Sequence, residues 1–294
     1  IQSNTFVDIN IDGSDPNPAT QARINKVFGG GNGVTVTGAI TVFLNVDNPA
    51  AYDHVDTIFG GNNQGELADV LPDIILLKGR VNTVYGVCNS GPMTGSFTAE
   101  GYSNVGSRVH LRNSYPSESG SFAPTASVTG AVYGGCRMNS VTNNTLVLVE
   151  GGTHPANLFG GCDISGDVNT SQVVVTGGTV GNVYGGGNGN YFNKEVNNVG
   201  SSGTHFEVYT DASMTPSSMV ADSVSGAPTC ATSQVDILAG QVGATGTGND
   251  RSVFGGGWGA DVHGTTHVII NGKEPTSGTY NVAHLFGGND FSGD

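Results

Sequence analysis

A short word recurs eight times along this chain: an aliphatic or small residue, an aromatic, Gly, and usually a second Gly. The aromatics are Phe28, Phe59, Tyr85, Tyr133, Phe159, Tyr184, Phe254 and Phe286, and in the third word Val87 replaces the second Gly. Successive words lie 31, 26, 48, 26, 25, 70 and 32 residues apart. The short intervals define a unit of 25–26 residues, and the long ones are that unit with added material. After each word comes a β-branched, alternating stretch, such as Ile40-Thr41-Val42-Phe43-Leu44 or Gln172-Val173-Val174-Val175, which reads as a strand by propensity and period. No helical periodicity competes with it.

A unit this short cannot bury its own apolar face, so copies must stack, each covering the next. Parallel stacking sets equivalent residues about 4.8 Å apart. The eight aromatics are then expected to form an internal ladder, with the glycines supplying positive φ or close backbone approach at a corner. Asn32, Asn63, Asn89, Asp163, Asn188 and Asp290 recur after the glycines and suit a turn with a side-chain ladder. A propeller is the competing all-β arrangement, but its blades need about 40 residues or more. The fold class expected is therefore all-β, a parallel β-helix (β-solenoid) of 25–26 residues per coil, in one domain over residues 1–294. Two turn-like, polar loop insertions are expected at about 89–125 and 190–232, projecting from one face. Phe286-Gly-Gly-Asn-Asp-Phe-Ser-Gly-Asp294 repeats the start of the Phe159 unit and stops before its strand, and neither end carries a polar cap. Further coils of a longer chain, or neighbouring subunits, are expected to cover both ends.

Composition narrows the partners. The net charge is −14, with only ten Lys and Arg among 294 residues and no run of them. Nucleic-acid backbones and anionic membranes demand clustered cations, so neither is an expected partner. No stretch of about 20 apolar residues is present to span a membrane. Glycine is abundant (48 residues) and charge is sparse (12%, against about 25% in average chains), which suits tight turns and stacked strands.

The chemistry-bearing residues point weakly to a site. Cys88, Cys136 and Cys162 each stand three residues after an aromatic in consecutive words, so stacking aligns them in a thiol column, with Cys230 apart in the second insertion. Buried inert thiols, one disulfide, or a soft-metal site are the readings open there. Asp163 with Asp167, Asp290 with Asp294, and Asp261 follow the glycines; they are turn residues or weak calcium ligands. A glycosidase would need two carboxylates about 6.5–9.5 Å apart from neighbouring coils, and an acidic-sugar lyase would need cations that this chain lacks. His263 and His267 would share a face of one strand, and Trp258, the only Trp, stands in the Asn/Asp column, where it could stack on a sugar.

The words Val27-Phe-Gly-Gly-Gly-Asn-Gly33, residues 177–189 and Val253-Phe-Gly-Gly-Gly-Trp-Gly259 resemble the glycine-rich repeats of large bacterial cell-surface and secreted adhesin-like proteins, frequent among Bacteroidetes. The resemblance covers most of the chain outside the two insertions. It implies a right-handed β-helix stalk, export to the cell surface, and adhesion or display toward a surface glycan or protein; it offers no catalytic residues. The expectation is a structural or adhesive extracellular protein. The alternative is a carbohydrate-active β-helix enzyme, hydrolase or lyase, or its glycan-binding module.

Overall fold

In a computed structural model the protein is all-β, built around a long, strongly curled parallel sheet. The structure describes residues 4–11, 23–46, 52–95, 97–99, 101–112, 125–197, 204–243, 252–271 and 282–291.

Each repeating unit contributes to three columns of parallel pairing. The first column runs through Thr5–Ile9, Ile40–Asn45, Pro72–Tyr85, Tyr102–Leu111, Asn144–Val149, Asp167–Val175, Thr229–Ile237 and Thr266–Ile270. The second carries the aromatic words, in register from Phe28↔Phe59 to Phe254↔Phe286. Shorter bridges Val36↔Leu67↔Met93↔Val141↔Val168 make the third. Pro72–Tyr85 serves two columns at once, because Gly79 bends it at φ 104°, a conformation that L side chains avoid.

Strand alternation sorts the side chains. Val42, Leu44, Ile74, Leu76, Val109, Leu111, Val147, Val149, Val173, Val175, Val235 and Ile237 point inward and form one aliphatic core with Ile58, Val84, Val132, Leu158, Val183 and Val253. Each of the last six immediately precedes an aromatic. The rings therefore face the opposite way, and Phe59, Tyr85, Tyr133, Phe159, Tyr184 and Phe254 form a buried cluster of their own, separate from the aliphatic core. All eight rings stack face to face, 4.7–5.0 Å between centroids. That spacing matches the separation of hydrogen-bonded strands, about 4.7–4.9 Å, so the backbone ladder sets the ring distance.

The glycines act by close approach. None of those directly after the aromatics has positive φ. A Cβ on Gly29, Gly60, Gly86, Gly134, Gly160, Gly185 or Gly255 would overlap the carbonyl oxygen of the equivalent glycine in the next unit. Only a residue without a side chain lets the backbones pile so tightly there.

Among the described residues, part of the added material belongs to the repeat and part forms strands of its own. Within 89–125, Asn89 hydrogen-bonds to Asn62, Met93 bridges Leu67 and Val141, and Val105–Leu111 pairs inside the first column. What is extra includes an antiparallel hairpin of Phe97–Ala99 with the start of Tyr102–Leu111. The described residues of the 190–232 stretch hold strands as well. Phe192–Asn197, Thr204–Tyr209 and Met219–Val224 form a three-stranded antiparallel sheet, and the repeat resumes at Thr229, paired with Asp167. Val208, Ala221 and Val224 of that sheet pack on Ile164, which gives it a small core of its own.

Candidate functional site: a tyrosine and carboxylate column beside the inserted sheet

The polar chemistry concentrates four residues after each aromatic, where Asn32, Asn63, Asn89, Arg137, Asp163, Asn188, Trp258 and Asp290 line up. The amides bond along the stack: Asn63 Nδ2 donates to Asn32 Oδ1 at 2.7 Å, and Asn89 Nδ2 to Asn63 Oδ1 at 2.8 Å. Arg137 Nη1 then donates to Asn89 Oδ1 at 3.4 Å, while its Nη2 donates to Val220 O of the inserted sheet at 2.8 Å. Asp163, 2% exposed, is the centre of this column. Its Oδ2 accepts from Tyr85 Oη, and its Oδ1 from both Tyr191 Oη and Asn188 Nδ2, each at 2.8 Å. A buried carboxylate is tolerable on those terms, because three donors replace its lost hydration.

The tyrosines reach this column by a fixed offset. Tyr85 donates to Asp163, which belongs to the word two units further on. Tyr133 accepts from Asn188, again two units on, at 3.4 Å, and Tyr184 donates to Asp290 by the same step at 3.1 Å. Phe159 has no hydroxyl, and two units on from it stands Trp258, whose ring stacks 6.5 Å from Phe159 and 5.9 Å from Tyr184. Burial first, then the Asp163 charge, holds the Tyr85, Tyr133 and Tyr191 phenols well above their ordinary range, so they stay protonated donors.

A second column was not anticipated. The stacking ladder skips the carbonyl of the first glycine: Gly29 N donates to Phe59 O, and Gly30 N to Gly61 O. Hydroxyls of the first strand column take up the carbonyls left over. Ser107, Thr145, Ser171, Ser233 and Thr266 donate to Gly134, Gly160, Gly185, Gly255 and Gly287 O, each at 2.5 Å, and Thr5 to Gly29 O at 2.8 Å. At Ile40 and Pro72 the position offers no hydroxyl.

The remaining sequence candidates divide between the interior and the surface. Cys88, Cys136 and Cys162 share one buried cluster, and Cys230 joins them, although it belongs to another strand. Gly187 stands three residues after Tyr184, and the Cys230 sulfur lies against Gly161 as Cys88 lies against Gly61. All four are free thiols. Burial pushes Cys230 up to about 11 and Cys162 higher still, which leaves them protonated and unreactive. Asp163 and Asp167 share no partner: Asp167 bonds to Thr229 Oγ1 at 2.7 Å and to Ser140. Asp290 receives Tyr184, and Asp294 lies outside the described residues. Among the described residues no group of three or more His, Cys, Asp or Glu could hold a metal ion. His263 and His267 are exposed but do not share a strand, since Asp261–Val262 ends before His263 and Thr266–Ile270 begins after it. Trp258 is half-buried against the rings.

The open concavity described lies elsewhere, a groove of about 270 Å³ lined by Ala39, Ile40, Asp69, Val70, Asp73 and Phe97. Asp73 is held there by Arg108, at 2.9 and 2.5 Å. Comparison of the chain with protein-family models, curated proteins and solved structures finds no match.

Proposed function

We propose that this chain is a structural, adhesive extracellular protein: a right-handed parallel β-helix of 25–26 residues per coil that serves as a stiff stalk at a bacterial surface and presents its inserted elements to a glycan or protein partner. The observation that carries the reading is the eight-ring stack with its in-register parallel pairing. Nearly every polar group in the Asp163 column is spent on holding units together, as befits a scaffold. The antiparallel sheet of residues 192–224 and the Phe97 hairpin depart from the repeat and are the natural surfaces for recognition, since loops on a rigid frame carry binding.

The test is binding of the labelled chain to immobilised mucin and bacterial-envelope polysaccharide. Saturable binding is expected, and it should disappear when residues 191–226 are replaced by a Gly/Ser linker while the far-ultraviolet circular dichroism stays β-type. No binding to any glycan or envelope protein, or release of soluble sugars from the polysaccharide, would overturn the proposal, the latter in favour of an enzyme.

A further inference from the structure

An Asn followed by Gly is open to attack by its own backbone, because no side chain on the second residue shields its amide nitrogen. The pair occurs three times, at Asn32-Gly33, Asn188-Gly189 and Asn271-Gly272, and the last extends outside the described residues. Asn32 and Asn188 both stand in the local sequence Gly-Asn-Gly, so only the fold can tell them apart. It treats them in opposite ways. Asn188 is 8% exposed, and its Nδ2 donates to Asp163 Oδ1 at 2.8 Å. Gly189 N, the atom that would attack, donates to Asp163 O at 2.9 Å. Asn32 and Gly33 are both exposed, in the bend between the Phe28 word and Val36. The main chain is tied on either side of them: Gly31 N donates to Asn62 Oδ1, and Val34 O accepts from Asn62 Nδ2. Asn32 O is held as well, by Gln64 N at 2.8 Å. Gly33 N donates to no acceptor among the described residues, and a Cβ on Gly33 would meet no heavy atom within 4 Å.

We propose that Asn32-Gly33 is a self-modification site, at which the chain slowly converts its own amide into a carboxylate and an isomerised backbone. Gly33 N gives up its proton to solvent base and attacks Asn32 Cγ. The new C–N bond closes a succinimide ring, the Cγ–Nδ2 bond breaks, and Nδ2 takes up a proton and leaves as ammonia. Water then opens the ring at either carbonyl, returning a hydrogen to Gly33 N and a hydroxyl to the carbon. The products are aspartate and isoaspartate, and no oxidant, metal or second protein is consumed. During the attack negative charge gathers on Asn32 Oδ1. Asn63 Nδ2 already donates to that oxygen at 2.7 Å, where it stabilises the developing oxyanion. The same bond serves an aspartate at this position, so the amide column survives that product. In the isoaspartate the main chain runs through Cγ, and the carbonyl that Gln64 N uses becomes part of a carboxylate, which loosens the tie between the first two units. At Asn188 the same chemistry must wait for local opening of the Asp163 network. The site lies in the repeat itself and does not depend on the adhesive role.

The experiment is incubation of the whole chain in mildly alkaline buffer, with peptide mapping by mass spectrometry and detection of isoaspartate at successive times. In the folded chain, conversion at Asn32 is expected to run at least about tenfold faster than at Asn188. In urea beyond the unfolding transition the two rates should converge, since the local sequences match and only the fold separated them. Gly33→Ala, whose Cβ shields the nitrogen and meets no neighbour, should slow conversion at Asn32 at least about tenfold in the folded chain. Three results overturn the site: an Asn32 that stays intact in the folded chain while it converts in urea, conversion at Asn188 as fast as at Asn32 in the folded chain, or a preference for Asn32 that persists in urea.

Discussion

The glycine after each aromatic is dictated by a carbonyl oxygen one unit away. At Gly86 an added Cβ would overlap Gly134 O and sit 3.2 Å from Ser107 Oγ, and both neighbours are fixed by the ladder. Gly86→Ala is therefore expected to destabilise the protein by about 3 kcal/mol in urea unfolding, the range of overpacked cores. Gly33 is the control: a Cβ added there meets no heavy atom within 4 Å, and its φ is not positive, so Gly33→Ala should stay within about 1 kcal/mol of wild type, on the stabilising side. Equal effects of the two substitutions would refute close approach as the reason for the glycine. Histidine supplies a second residue-scale prediction. His154 is fully buried; its Nδ1 accepts Val128 N at 3.3 Å, and its Nε2 meets Gly151 O at 2.8 Å, which assigns the proton to Nε2. Burial lowers its pKa to about 4, against the smaller opposing pull of the Gly151 carbonyl. The unfolded chain thus takes up the proton first as pH falls. His154 leaves stability untouched above pH 6.5, subtracts from it progressively down to about pH 4, and subtracts no more below. The loss across that window is about 3 kcal/mol. Urea unfolding at pH 7 and pH 4.5 should show a steeper loss for wild type than for His154→Gln; parallel losses would mean that the ring is not held neutral.

At the scale of the element, one rule covers the ring column from Tyr85 to Tyr184: the tyrosines meet a polar residue two units ahead and Phe159 does not, whereas Phe28 and Phe59, with Asn89 and Arg137 two units ahead, fall outside it. Tyr85, Tyr133 and Tyr184 meet Asp163, Asn188 and Asp290, whereas Phe159 meets Trp258. Tyr85→Phe should cost about 1–2 kcal/mol, since Asp163 loses one of three donors without gaining water. Phe159→Tyr should cost a similar amount by placing a hydroxyl against an indole face. Thermal unfolding of both variants checks the rule, and a neutral result for both would reduce the pattern to coincidence. The column itself was legible in the sequence because its word is contiguous and recurs at a steady interval. The offset of two units was not, since it links residues as far apart as Tyr184 and Asp290. The hydroxyl column was hidden for a related reason: Thr145 precedes its glycine by 15 residues and Ser107 by 27, so no fixed spacing marks it. Cys230 read as an outlier because it fills the gap at Gly187 from a different strand. The inserted sheet escaped notice because Phe206, Val208, Val220, Ala221 and Val224 are scattered among polar residues, and their partner Ile164 lies in the repeat.

For the whole molecule, parallel pairing joins each unit only to its neighbours, so stability should be close to a sum of unit and interface contributions. Inner units are covered on both sides: Ile58, Val132, Leu158 and Val183 are fully buried. Within the described residues, Ile270 is 41%, Leu285 52% and Phe286 45% exposed, and Phe6 in the first strand column is 66% exposed. Opening from the two ends therefore exposes the least additional apolar surface. Native-state hydrogen exchange should show protection that rises from the Val27 and Leu285 amides toward Val132, Leu158 and Val183. The hydrogen bonds that span two units modify this gradient. Tyr85 to Asp163 and Asn188 to Tyr133 tie the third through sixth words together, so those four should exchange as one cooperative block. Asp163→Ala removes the acceptor shared by Tyr85, Tyr191 and Asn188, and it should lower protection across that block while leaving the Val27 amide unchanged. Uniform protection along the chain, or a uniform loss in Asp163→Ala, would instead mean that the stack opens as a single unit and that nearest-neighbour addition fails for this protein.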